Sequence, residues 1–339
     1  MFNVSELTHG VIDFAKHSPQ KAGLHPDFYL PGGQAYESDN TFGSFFYQHI
    51  EQKHFAIWKS IYVPYEDITV RVQQSEPWLG FRLMLKKHIR HLVLGHPVTL
   101  LQGQVNFAYT PHVDHEFRLR KGEVYEVFDM KVTPNLLKKL KIKDQRFERF
   151  MQRIGADTSE WINAQPTWSN AIVLDAIDYL AKTPSRETVA EEVVRQLIST
   201  LTRKKERDRV ISEQQLENLY AVRELIRVQF AEKMHLQQWA TLAQMNITYF
   251  KEMFSQVFEL TPYHYLLYER IKAAKEIMIH EPHLTFGEIA RRSGFSTYNN
   301  LRRAFAAKEN KTLTQWHNLP DFLAMALAWE VVLEDLIVW

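Results

Sequence analysis

The sequence predicts an α+β multidomain chain: an N-terminal β-barrel followed by an all-α C-terminal part built from two helix-turn-helix units. Three observations predict it. Short aromatic and β-branched segments repeat between Thr41 and Val132, as in a barrel or sandwich. The apolar period turns helical after Thr133. One helix-turn-helix plan then occurs twice, at Leu236–Phe258 and at Phe286–Phe305.

The bulk properties set the outer limits. With 339 residues, 45% of them hydrophobic and 24% charged, the chain can bury two cores. A net charge of +1 excludes a general polyanion binder, so a nucleic-acid site must be a local basic face. The 0 cysteines exclude disulfides and cysteine metal sites and agree with a reducing, cytoplasmic setting. MFNVSELTHGVIDF has no charged segment leading into an apolar one, so no signal peptide is expected.

Residues 1 to about 40 are weakly patterned, and Pro26, Pro31, Gly32 and Gly33 mark a loop. The segments FGSFFYQHI, HFAIWKSIYV, DITVRV, FRLML, HLVLG, VTLLQG, VNFAYT and VYEVFDMKV then read as strands. Gln73–Pro77, Gly95-His96-Pro97 and Lys121-Gly122 supply turns. A barrel interior can hold a small ligand, with Phe46, Trp58, Trp78, Tyr109, Tyr125 and Phe128 as wall candidates. Ordinary aromatic core is the competing reading for each. His112, Asp114, His115 and Glu116 in TPHVDHEF invite a metal reading, but no defined ligand geometry appears, so we read a solvated loop and assign no metal or cofactor. Glu123 and Glu126 read as solvent-facing charges. GxSxG, P-loop, Rossmann and HExxH patterns are absent, and no enzyme is expected.

Pro134, Pro166 and Pro184 precede helical segments. In the last, Ala190, Val194, Leu197 and Leu201 recur near a/d spacing, which suits a partner helix or packing on the barrel. The charged run Arg203–Arg209 marks a domain boundary. We therefore divide the chain into 1–132 (sensor), 133–209 (connector), 210–317 (two helix-turn-helix units) and 318–339 (apolar helix). That last segment, NLPDFLAMALAWEVVLEDLIVW, carries Glu330, Glu334 and Asp335 and no flanking cation, which argues against a membrane span.

In the second unit the helix from Phe286 ends at Ser293-Gly294, and Ser296 or Thr297 caps the next. Leu301, Ala304 and Phe305 face inward, leaving Tyr298, Asn299, Arg302 and Arg303 outward. Arg291, Arg292, Lys308 and Lys311 extend the basic face, with Glu288 and Glu309 close by. In the first unit Asn246 caps a helix whose outer face holds Thr248, Lys251 and Glu252. Thr261-Pro262 opens a connecting helix of about 27 Å, enough to hold two reading helices roughly one DNA turn apart, ~34 Å.

These motifs resemble the AraC/XylS-type transcription regulators. The resemblance covers Leu219 to Trp316 and rests on LAQMNITYFKEMF, TPYHYLLYERIKAAKEIM and EIARRSGFSTYNNLRRAF. It implies a domain that reads adjacent major grooves of double-stranded DNA, dimerisation through helices between sensor and reader, and contact with RNA polymerase in an activator. The family has Gly at the positions of Gln244 and Glu259, Arg at Glu252, Lys at Ser255, Gly at Asn310 and Pro at Leu313. FGSFFYQHIEQ, FRLMLKKHIR and FAYTPHVDHEFRLRKGEVYEVFDMKV resemble a siderophore-regulator-like branch, which implies a cupin-like sensor for an unknown small-molecule effector. The reading is a DNA-binding transcription regulator. Its rivals are a cupin-like metal enzyme with an accessory helical domain, and a degenerate regulator acting as a protein-interaction module.

Overall fold

A computed structural model describes residues 3–17, 30–93, 96–203, 209–233, 235–309 and 312–318. The expected helix at 318–339 lies outside them except for Asn318, as do Asn310, Lys311 and most of the 203–209 run. The chain forms two compact units, 1–169 with 173–205, and 170–172 with 206–339. Residues 133–169 and 173–205, which make up most of the expected connector, group with the strands in unit 1.

Unit 1 begins with β1 (Asn3–Glu6), β2 (Gly10–Val11), β3 (Ala15–His17), β4 (Gln34–Asn40), β5 (Gly43–Glu51) and β6 (Phe55–Pro64). Next come β7 (Ile68–Gln74), β8 (Trp78–Lys86), β9 (Ile89–Val93), β10 (His96–Leu100), β11 (Gln104–Thr110), β12 (Val113–Leu119) and β13 (Tyr125–Val132). Helices α1 (Pro134–Lys139) and α2 (Gln145–Arg153) precede β14 (Glu160–Trp161) and β15 (Thr167–Trp168), and α3 (Ala171–Lys182) and α4 (Glu187–Thr202) follow.

The strands form two antiparallel sheets. One runs β10-β9-β12-β7-β1-β2; the other runs β14-β11-β8-β13-β6-β5-β4-β3, with β15 also on β11. Among the described residues no strand pair closes either sheet, so the expected barrel appears as two facing sheets. Ile68, Val70, Phe117 and Leu119 from the first pack against Phe45, Met84, Tyr125 and Val127 from the second. Period-2 side chains explain this, because one face of each strand enters a shared core. The stripe Ala190, Val193, Val194, Leu197, Ile198 and Leu201 on α4 is fully buried, which accounts for it without a partner chain.

Two expectations need correcting here. TPHVDHEF is not a solvated loop: Val113–Leu119 is strand, paired on both sides, and His115 is half-buried with its Nε2 shielded from solvent. Its neighbour Asp114 accepts two hydrogen bonds from Arg71, at 2.9 and 2.8 Å. Glu126 does not face solvent either; its carboxylate lies 3.4 Å from the buried Lys59 ammonium. Two adjacent strands place these opposite charges side by side, a long-range pairing that alternation in one strand cannot reveal.

Unit 2 contains α5 (Glu213–Val228), α6 (Leu236–Leu242), α7 (Ile247–Phe258), α8 (Pro262–His280), α9 (Phe286–Arg292), α10 (Tyr298–Lys308) and α11 (Leu313–His317). Ser212 and Gln215 make a reciprocal capping box on α5. Asn246, Thr261, Thr285 and Thr297 each cap the following helix by accepting from a backbone N–H. The first motif packs through Trp239, Phe250, Phe254, Phe258 and Tyr265; the rings of Phe254 and Phe258 are 4.5 Å apart. The second packs Ile289, Phe295, Leu301, Phe305 and Trp316 onto Ile271, Ala274 and Met278 of α8. Burying each such side chain contributes roughly 1.5–3 kcal/mol. At 19 residues, α8 is about 28 Å long and serves both motifs.

Candidate nucleic-acid interface and effector cavity

The turn between α9 and α10 sets the geometry of the second motif. Gly294 sits at φ +80°, and a Cβ there would approach Ala231 Cα to 2.8 Å. Glycine is therefore required by both backbone and contact. The chain can then turn so that Leu301 and Phe305 are buried while Tyr298, Asn299, Arg302 and Arg303 are exposed on α10. Tyr298 stacks on Phe286 at 5.9 Å. Arg303 Nη2 donates to Asn300 Oδ1 at 2.8 Å, and Asn300 Nδ2 donates to Ser296 Oγ at 2.7 Å. The guanidinium of Arg303 is thus oriented while still facing solvent. Arg302 makes no ion pair among the described residues.

The rest of the expected basic patch is largely neutralised. Glu288 accepts from both Arg291 and Arg292, which hold its carboxyl down to about 2. Arg292 also donates to both oxygens of Glu281, each at 2.9 Å. Glu309 is buried against the Lys275 ammonium, whose nitrogen lies 5.9 Å from the Trp316 ring centre. Arg302 and Arg303 are the two exposed arginines of α10 and, among the described residues, form no ion pair with a carboxylate.

The first motif exposes Thr248, Lys251 and Glu252 on α7. Glu252 accepts from Arg209 Nη1 at 2.7 Å. Gln256, one turn further on, exchanges two hydrogen bonds with the Arg209 backbone, each of 2.9 Å. Sequence reasoning missed this clamp because nothing local links residue 209 to α7. Gln244 and Glu259 take left-handed backbone at φ 56° and 57°. These two flank α7 and stand where the resembling family has glycine.

Between the sheets of unit 1 lies a cavity of about 490 Å³. Trp58 and Trp78 line it, their rings 5.3 Å apart. The other four expected wall residues do not. Phe46 packs with Ala35 and Ile61, and Tyr125 is in the shared core with its hydroxyl accepting from the Arg120 backbone N–H. Phe128 is fully buried against Phe81. Tyr109 is buried on β11 between Ala108 and Thr110, the two residues of that stretch that do line the cavity. Both faces of these central strands are apolar, so sequence alone could not tell which face is hollow.

Polar groups also line the cavity. Arg82 donates twice to Asp129, at 2.7 and 3.0 Å, from strands paired in that register. Burial opposes the Arg82 charge, but Asp129 outweighs it and keeps the guanidinium protonated. His91 and His115 meet at 5.9 Å on neighbouring strands. Burial, reinforced by the charge of Arg82, pushes both down to about 3. Opposite charges inside the apolar runs FRLML and VYEVFDMKV were the available clue to this site. No group of three or more His, Asp or Glu among the described residues could hold a metal ion.

Residues 239–318 match the family described as a helix-turn-helix domain. Similar solved structures include the DNA-binding domain of the global transcriptional factor AdpA in complex with a target DNA (20% identity, 30% of this chain and 89% of that one, TM-score 0.28). The C-terminal domain of AraT, a response regulator from Geobacillus stearothermophilus, matches at 23% identity over 30% of this chain and 83% of its own, TM-score 0.28. ToxT from Vibrio cholerae matches at 10% identity over 78% of this chain and 98% of its own, TM-score 0.29. At such identities and scores these likenesses carry no weight on function. No curated protein matches.

Proposed function

We propose, from the premise that residues 239–318 form an AraC-type helix-turn-helix domain, that the chain is a sequence-specific DNA-binding transcription regulator controlled by a small molecule held in unit 1. The observation that carries this reading is the exposed α10 face, where Asn299, Arg302 and Arg303 stand on a buried Leu301–Phe305 ridge. Arginine can pair with guanine edges in the major groove and asparagine with adenine. On α7, Thr248 and Lys251 would contact the neighbouring groove or its phosphates, while Glu252 is engaged by Arg209. A ligand shifts DNA affinity only as far as it binds one arrangement better than another.

Two facing antiparallel sheets around a cavity support reading unit 1 as cupin-like. A homodimer would use a surface other than the buried α4 stripe, and an activator would also meet RNA polymerase in the cytoplasm. The rival metal enzyme has no ligand cluster to build on among the described residues.

The test is DNA binding by the full chain to a selected operator, titrated at several salt concentrations. Arg303→Ala should lose about 1–3 kcal/mol of discrimination, and Lys251→Ala should weaken specific and random duplexes about equally. Unchanged specific binding by Arg303→Ala would remove α10 as the main reader.

A further inference from the structure

We propose that the unit 1 cavity takes an uncharged, flat and mainly apolar ligand carrying one hydroxyl group, which pairs with His91, His115 and Thr110, and that it rejects carboxylates. This rests on the effector reading above and specifies its chemistry.

Shape is the first support. A cavity of about 490 Å³ falls within the roughly 300–1,000 Å³ range of small-molecule sites. Its walls are mostly rings and aliphatic side chains, among them Phe14, Trp58, Trp78 and Phe117. Flat apolar molecules suit such walls, because rings stack in offset or edge-on contact.

Charge is the second. The titratable side chains lining the cavity are Tyr47, Tyr62, Arg82, His91, His115 and Asp129. Burial raises both tyrosines, Tyr47 to about 12, so both are uncharged at neutral pH. The two histidines are uncharged as well. Arg82 and Asp129 cancel through two hydrogen bonds. The lining is therefore neutral in sum, and its single cation is already matched. A carboxylate entering it would shed its hydration without meeting an unmatched cation.

Unsatisfied polarity is the third. His91 Nδ1, His115 Nε2 and Thr110 Oγ1 are buried in the lining and have no hydrogen-bond partner among the described residues. Each orphaned buried polar atom calls for a partner. A neutral imidazole offers one donor and one acceptor, and a threonine hydroxyl offers both. Together they suit a neutral group that both donates and accepts.

Three fluorescent probes with one ring system separate these elements: 1-pyrenemethanol, pyrene and 1-pyrenecarboxylate. Each is titrated into the full chain at neutral pH, with energy transfer from the cavity tryptophans as the signal. We expect the alcohol to bind tightest, pyrene about 5–10-fold weaker and the carboxylate at least about 10-fold weaker than the alcohol. His115→Phe should bring the alcohol to within about 2-fold of pyrene while leaving pyrene's affinity in place. Asp129→Asn, which unmasks Arg82, should strengthen carboxylate binding by about 10-fold or more. The wild-type comparison stands even if Asp129→Asn fails to fold. Carboxylate binding as tight as that of the alcohol would overturn the proposal while leaving the effector reading intact. So would an alcohol no better than pyrene. Failure of all three probes to bind would overturn the effector reading of this cavity as well.

Discussion

Gln244 holds a left-handed backbone conformation with an exposed side chain. A Cβ in that conformation costs roughly 1–2 kcal/mol, and glycine avoids it but gains freedom in the unfolded chain. Gln244→Gly should therefore stabilise unit 2 by about 0.5–1 kcal/mol, read as a raised urea midpoint at unchanged slope. An unchanged or lower midpoint would show that the Gln244 side chain contributes something the backbone term does not capture. Sequence reading marked Gln244 only as standing where the resembling family has glycine; the structure adds that its backbone is left-handed. Thr297 and Asn246 were legible as caps because capping chemistry is local. His91, His115 and the Arg209–Glu252 pair were not, because each depends on residues distant in sequence that meet only in the fold.

Among elements, the helices of unit 2 were the most legible. The expected α9 begins at Phe286 and ends just before Ser293-Gly294 as observed, and α7 begins directly after its expected Asn246 cap. In unit 1 the strands were visible, but the hollow face of the sheets was not, since β6, β8 and β13 are apolar on both sides. The junction of α8 with the end of α10 supplies an element-scale prediction. Lys275 and Glu309 form a buried ion pair beside Trp316. Removing one partner of a buried pair commonly costs about 3–5 kcal/mol, whereas replacing both with apolar groups is often neutral. Glu309→Ala should thus destabilise unit 2 by that order. Lys275→Met combined with Glu309→Leu should recover most of the loss in chemical denaturation. A double variant as unstable as the single one would mean that the pair serves the geometry of α10 rather than balancing charge.

For the molecule as a whole, two units with separate cores predict two calorimetric transitions. Their pH responses should differ. His91 and His115 titrate near 3 in the fold, against about 6.5 when unfolded. The unfolded chain therefore binds more protons between those values, so unit 1 keeps its full stability above about pH 6.5 and loses it as pH falls toward 3. At pH 5 the loss is up to about 2 kcal/mol per histidine. His49, also lowered by burial, acts in the same direction. Glu126, raised chiefly by burial, offsets part of the loss. In unit 2 the partly buried His264 is shifted the same way, and Glu288, held down to about 2 by Arg291 and Arg292, loses its contribution only below about pH 4.5, so between about pH 6.5 and 5 this transition should move less. His91→Phe with His115→Phe should bring the two pH responses closer together. Equal responses in the parent protein would refute the assignment.

The single rod α8 also has a consequence that belongs to phase rather than to affinity. Both reading helices are built onto it, so their relative azimuth follows its residue count. One inserted residue would rotate the second motif by about 100° and advance it only ~1.5 Å. That would turn the Arg302–Arg303 face away from a duplex held by the first motif, on the reading proposed above. Seven inserted residues restore the azimuth to within about 20° and advance it by about 10 Å, close to three base pairs. On the DNA-binding reading proposed above, lengthening α8 should abolish binding at most increments. Seven residues restore the azimuth of the second motif but carry it about three base pairs along a duplex whose groove has turned by about 100° over that distance, so binding to the parent operator should not return.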